Sequence, residues 1–385
     1  MANTHQFDDI RPYSDSEMPA VIARVLANER LNTFIHNMFP KANIAYVRQE
    51  LQKVSSVRQL QQGLMRNAMT HIIRNTTTAF TYTGIEQLQP NTPYLFLSNH
   101  RDIMLDASLL CYCLVAHSNI DTPEITFGSN LMQSQLIVDL GKINKMFRFM
   151  RNNGSPRELV TMSQQNSAYI RHVITQKRQS VWIAQRNGRT KDGNDRTDVG
   201  VLKMFAMSAP NNLTFNENLG QLNIVPLCLS YEYEPCDSMK TNELYISRRQ
   251  RYEKQPGEDI RSVIHGVVQP KGHVHLAVCP PITAADLAQC ADQPTNARYK
   301  ALANIIDQRI HAAYRLWPTN YIAHDLLHGA NTHQQHYSAQ QRDQFAAYMS
   351  HSLSPLSGNA NELREIFLSI YANPVDNVLN ATNKH

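Results

Sequence analysis

Ser98-Asn99-His100-Arg101-Asp102-Ile103-Met104-Leu105-Asp106 is the stretch around which the chain is organised. The apolar run Pro93-Tyr94-Leu95-Phe96-Leu97 leads into it and reads as a buried strand. Ala107 to Ala116 follows as a helix packed on that strand. His100 then falls at a strand-to-helix turn, where α/β proteins place reactive groups. Asp102 suits an N-cap, because a carboxylate there accepts the unpaired N–H groups of the first turn. A histidine beside a carboxylate at such a turn has the chemistry of a general base.

The surrounding chain fits a large α/β protein. It has 385 residues, 42% of them hydrophobic, enough for a substantial core. Its net charge of +5 suits acidic ligands or an anionic membrane surface and is far from that of a nucleic-acid-binding tail. The six cysteines lack paired CxxC spacing, so neither a zinc knuckle nor a disulfide framework is expected. The polar, acidic N-terminus does not read as a signal peptide. No stretch approaches the roughly 20 apolar residues of a membrane span. These features predict a cytoplasmic protein.

From Thr76 to about residue 282, apolar strands alternate with helical segments. Thr76 to Gly84 alternates and is β-branched and so reads as the first strand, and the apolar strands are expected at 93–98, 125–128, 145–150, 180–185, 222–231 and 272–279. This order predicts an α/β fold, a mostly parallel sheet flanked by helices. Residues 1–75 read as an N-terminal helical region, 76–285 as the α/β core and 286–385 as a C-terminal helical extension. Met18 to Met38 has the spacing of one amphipathic helix ending near Pro40, and a second helical stretch runs from Lys41 to Asn75. The second carries Arg48, Lys53, Arg58, Arg66 and Arg74, either a solvated face or a surface for a membrane or an acyl carrier. Asn296 to Trp317 reads as a helix stopped by Pro318, with further helices at 322–327, 340–349 and 362–371 and fraying after Asn373. His324, His328, His333 and His336 cluster without the cysteine or carboxylate spacing of a known metal site, and read as surface histidines.

Three more stretches end strands in polar residues. Phe147-Arg148-Phe149-Met150-Arg151 places two aromatics on one face with Arg151 emerging at the end, a fork suited to phosphate. Arg186-Asn187-Gly188-Arg189-Thr190-Lys191 crowds three cations into one loop, and Gly188 lets backbone N–H groups approach an anion. Val225-Pro226-Leu227-Cys228-Leu229-Ser230-Tyr231-Glu232 reads as a core strand.

In this order the four stretches resemble those of the glycerolipid acyltransferases, the glycerol-3-phosphate and 1-acylglycerol-3-phosphate acyltransferases. Asn99-His100-Arg101 through Asp106 is similar to the family's first motif. Phe147 to Arg151 is similar to its second, Asn187-Gly188-Arg189-Thr190-Lys191 to its third and Val225 to Glu232 to its fourth. The likeness covers roughly residues 80–285. It implies a glycerol-3-phosphate acyltransferase-like fold and direct acyl transfer in phospholipid synthesis. His100 would be the general base, Asp106 its carboxylate, and Arg151, Asn187, Gly188 and Arg189 the residues that bind the acceptor's phosphate. Donors near the helix N-terminus would stabilise the oxyanion. The donor would be acyl-CoA or acyl-carrier protein and the acceptor glycerol-3-phosphate or its 1-acyl form. The resemblance implies no cofactor, no metal and no nucleic acid, and a protein peripheral to the inner face of the membrane.

Two positions depart from that pattern. The family's Asp lies five residues after its His, where Leu105 stands here, and Asp106 follows. One extra residue turns a helical side chain by about 100°, so either the turn absorbs it and Asp106 backs His100, or Asp102 does. Asp106 is the expected partner, because Asp102 suits the cap. Asn187 stands where the family has Glu. These departures leave a second reading, a non-catalytic lipid- or phosphate-binding relative that kept the fold. His100-Arg101-Asp102 also matches the start of a protein-kinase catalytic loop, but the Asn, Gly-rich loop and Asp-Phe-Gly of kinases are missing.

Overall fold

The computed structural model describes residues 6–150 and 155–382. Seven strands form one sheet: β1 Thr77–Thr83, β2 Leu95–Ser98, β3 Glu124–Gly128, β4 Met146–Phe149, β5 Val181–Ala184, β6 Ile224–Tyr231 and β7 Gly272–Val278. Their order across the sheet is β1-β7-β6-β2-β5-β3-β4. β6, β2, β5, β3 and β4 are mutually parallel, β7 runs antiparallel to β6, and β1 pairs parallel to β7. The fold is therefore α/β, with a mostly parallel sheet flanked by helices, as the alternating pattern predicts.

β2 occupies the middle of the sheet and is buried along its whole length. Period-two alternation sorts its side chains. Leu95 and Leu97 join Val181, Ile183 and Ile224 on one face, whereas Phe96 joins Trp182, Val225 and Leu227 on the other. Both faces being covered explains why these strands read as unbroken apolar runs. Ile10 and, from the later helices, Leu302, Ile306 and Ile310 enter the first of these clusters. The N-terminal and C-terminal residues thus pack on the sheet.

Several helix boundaries differ from those expected. The 18–38 pattern is two helices, Met18–Ala27 and Leu31–Met38, separated at Asn28, whose backbone is extended. The 41–75 stretch is broken into Ile44–Gln52, Val57–Leu60, a π turn at Gln61–Met65, and Arg66–Thr76. Ser56 caps the second of these by accepting the Gln59 N–H, a local competition that apolar periodicity does not register. Pro318 does not merely end a helix. The preceding helix, Thr295–Ala313, stops earlier, and Pro318 begins helix Pro318–His328, where its missing N–H costs nothing. The last helix, Ala360–Thr382, runs through Pro374 instead of fraying after Asn373. Pro374 and Val375 are buried there, so packing outweighs the lost backbone bond.

The last helices are tied to the core by polar contacts. The Asp237 carboxylate accepts hydrogen bonds from Tyr348 Oη at 2.7 Å and Tyr371 Oη at 2.5 Å. Burial pushes the Asp237 carboxyl up to about 6, although both tyrosines act the other way. A raised carboxyl binds its proton more tightly folded than unfolded. Its contribution to stability is therefore full below about pH 4 and is lost as pH rises to about 6, a change of about 2–3 kcal/mol. Asp237→Asn is expected to remove that slope. The check is the difference in urea unfolding free energy between variant and parent from pH 4.5 to 7, and a flat difference would refute it.

Candidate active site

β2 ends at Ser98, and Asn99 fixes the turn that follows. Asn99 accepts the Leu229 N–H at 2.7 Å and donates to Leu229 O at 3.0 Å, splicing the turn onto β6. His100 stands at the C-terminal end of the parallel strands with 8% of its surface exposed. Its Nδ1 lies 3.0 Å from Asp106 Oδ2. Its ring meets Trp182 edge-on, with centroids 5.9 Å apart. With the carboxylate as acceptor, Nδ1 carries the proton of this bond and Nε2 is the ring nitrogen not engaged by Asp106.

Asp106 is held from four directions. Oδ2 also accepts the backbone N–H groups of Arg101 at 2.7 Å and Asp102 at 3.0 Å, and Oδ1 accepts the Tyr231 hydroxyl at 2.9 Å. Asp102 instead turns back on its own chain. Its Oδ1 accepts the N–H groups of Met104 at 2.8 Å and Leu105 at 2.7 Å. Asp106, not Asp102, therefore faces His100. The extra residue is absorbed because helix Leu105–His117 starts only at Leu105, leaving 101–104 as an irregular turn. The same geometry changes one expectation. The amides of 101, 102, 104 and 105 are all taken by the two carboxylates, so these donors of the turn are not available to an oxyanion.

Asp102 Oδ2 is buried without a hydrogen-bond partner. Burial and then the nearby Asp106 charge push the Asp102 carboxyl up, against its two amide bonds. Gly266, on helix Glu258–Val268, packs directly on it, and a Cβ there would come within 2.0 Å of Oδ2. Gly266→Ala should gain about 1 kcal/mol of helix propensity. The clash outweighs that, because Asp102 is buried and its other oxygen caps the turn. We expect a net loss of about 1–3 kcal/mol of unfolding free energy in urea denaturation. A variant more stable than the parent would show that Asp102 yields freely.

Arg101 is not a solvent-facing partner of His100 but a buried tie. Its guanidinium donates to Asp195 Oδ2 at 2.7 Å, Glu234 Oε2 at 3.3 Å and Gly193 O at 3.2 Å. Lys240 Nζ joins from the far side, 2.7 Å from Glu234 Oε1 and 2.8 Å from Arg101 O. Burial opposes the Asp195 charge, but Arg101 and hydrogen bonds from Asn99 and Thr190 more than offset it and leave the carboxyl below its usual value.

The 186–191 turn lies against the same corner. The Thr190 N–H donates to His100 O at 2.7 Å, and Thr190 Oγ1 donates to Asp195 Oδ1 at 2.8 Å. Gly188 has φ +75° with open space around it, so its glycine serves backbone conformation. Asn187 is exposed, and Arg186 and Arg189 are half-buried. Arg189 Nη2 donates to Ser262 Oγ at 3.4 Å, while Nη1 is buried without a hydrogen-bond partner. Lys191 pairs with Glu243. Arg151 lies outside the described residues. The residue before it, Met150, is clamped through its N–H and C=O by the Asn166 amide, both at 3.0 Å.

His100 and Asp106, both expected from the sequence, thus meet, and the turn that carries Asn187, Gly188 and Arg189 joins that corner through the Thr190 N–H. Tyr231, Asp195 and Glu234 complete it and were not expected. Tyr231 ends a strand on which Leu227 and Leu229 share its face, so period-two counting would have aimed it at the helix that carries Asp106. A cleft of about 520 Å³ lined by Arg171, Arg178, Gln221 and Asn223 lies at the opposite, N-terminal end of the strands. Ligands of open α/β sheets bind at the carboxyl ends, the end of the sheet at which His100 stands. No helix among the described residues is long and apolar enough to cross a membrane.

No family model matches the sequence, and no curated protein matches it. Among solved structures, the 1-acyl-sn-glycerophosphate (LPA) acyltransferase PlsC from Thermotoga maritima is similar at a TM-score of 0.37 and 8% identity. The match covers 77% of this chain and 94% of that one.

Proposed function

We propose that the chain is a glycerolipid O-acyltransferase, with His100 as general base. The observation that carries the reading is the Tyr231–Asp106–His100 series, in which a fully bonded carboxylate holds the imidazole through Nδ1 and leaves Nε2 as the nitrogen free to act as the base. Nε2 takes the proton of an acceptor hydroxyl as its oxygen attacks a thioester carbonyl. The C–S bond then breaks, and the thiolate leaves with the proton from the imidazolium. Asp106 stabilises the imidazolium between these steps. Arg189, with the Asn187–Gly188 turn and Arg151, holds the acceptor's phosphate, and that orientation supplies much of the rate.

The donor on this reading is acyl-CoA or acyl-carrier protein, and the acceptor is glycerol-3-phosphate or its 1-acyl form. The protein works at an anionic membrane surface on the cytoplasmic side, through faces such as that of exposed Arg58, Arg66 and Arg74. Purified protein should release free thiol from the donor only when an acceptor is added. Tight lipid binding without turnover would instead establish the non-catalytic reading. Flotation with anionic liposomes tests the membrane surface separately.

A further inference from the structure

The C-terminal histidines gain partners in the fold that their spacing does not show. His324 and His328 lie one turn apart on helix Pro318–His328 and so face the same way. Their rings are 4.5 Å apart between centroids. Asp376 reaches in from the neighbouring helix Ala360–Thr382, 52 residues later in the chain, and its Oδ1 sits 3.3 Å from His324 Nε2. One ligand atom from each of the three lies within 4.8 Å of the others. The two helices are locked by Ile322, Ala323, Phe367, Ile370 and Tyr371, so the backbones that carry these side chains are fixed.

We propose that His324, His328 and Asp376 bind a divalent transition-metal ion of the imidazole-preferring class, such as zinc or nickel. Ligands at about 2.0–2.1 Å around a tetrahedral ion are separated by about 3.3 Å, the spacing His324 and Asp376 already have. Two imidazoles and a carboxylate match the ligand preference of zinc, nickel and copper. The ring of His324 is held by that single bond, since its Nδ1 is buried and unpartnered. His328 and Asp376 are exposed, so a fourth position opens to water. A second set, His324 with Asp325 and His333, is also close enough. Its carboxylate is already engaged, because Asp325 accepts the His333 N–H at 3.0 and 3.2 Å and the Tyr337 hydroxyl at 2.8 Å. The ion would bridge two helices and so stabilise the folded chain in proportion to its occupancy.

The test uses untagged, chelator-treated full-length protein titrated with zinc in a calorimeter, with thermal unfolding followed in parallel. One ion per chain and a raised Tm are expected. His328→Ala and Asp376→Asn should each weaken binding at least tenfold without moving the metal-free Tm, because both side chains are exposed, and His333→Ala should bind as the parent does. Absence of saturable binding, binding indifferent to both first variants, or loss confined to His333→Ala would overturn the assignment. None of these readouts depends on acyl transfer.

Discussion

Alanine at position 100 should cut acceptor-dependent thiol release by about 10²–10⁴-fold, the usual contribution of a positioned general base. The fold should survive. Removing the imidazole takes one donor from Asp106, but the carboxylate keeps the amides of Arg101 and Asp102 and the Tyr231 hydroxyl. Far-UV circular dichroism and the urea midpoint of the variant should therefore stay close to those of the parent. Asp106→Asn should also be slow, because a neutral amide no longer stabilises the imidazolium. Parent-like turnover by His100→Ala in a folded protein would remove this residue from the mechanism.

Arg101→Ala is the substitution with the largest expected effect on stability. The side chain is 1% exposed, and Asp195 and Glu234 are buried beside it. Breaking a buried ion pair by deleting one partner costs about 3–5 kcal/mol, since the remaining charge is stranded. Lys240 still reaches Glu234, so the stranded charge is Asp195, left with Asn99 and Thr190. Arg101→Lys should recover little, because one ammonium does not reproduce the guanidinium's separate contacts with Asp195, Glu234 and Gly193. Urea unfolding at neutral pH measures this loss, and a loss below about 1 kcal/mol would mean that water enters the network freely.

Much of this architecture is legible in the amino-acid order itself. All seven strands fall where the sequence places them: the fully buried β2, β5 and β6 as unbroken apolar runs, because strands covered on both faces have no polar side to interrupt the signal, and the half-exposed β1 by its alternating β-branched residues. The reversal of β7 against β6 is not legible, since periodicity carries no direction. The pairing of His100 with Asp106 is legible as one of two choices, and the start of the helix at Leu105 decides between them. The role of Arg101 is hidden for another reason. Its partners lie 94 and 133 residues away, and charge in a sequence looks the same whether it is solvated or enclosed. The same holds for Asp376 and the histidines, whose proximity exists only once two helices are docked.

Gly193 carries Arg101's third contact through its carbonyl, and it has φ +75° with space for a Cβ closed by Ile370 O at 2.0 Å. Asn373 donates to Asp192 O at 2.7 Å one residue earlier. The final helix is thus a back wall for the loop beneath His100. A premature stop between Glu234 and Ile370 would remove that wall while sparing every residue of the four motifs, so the loop beneath His100 would lose its support with its own side chains intact.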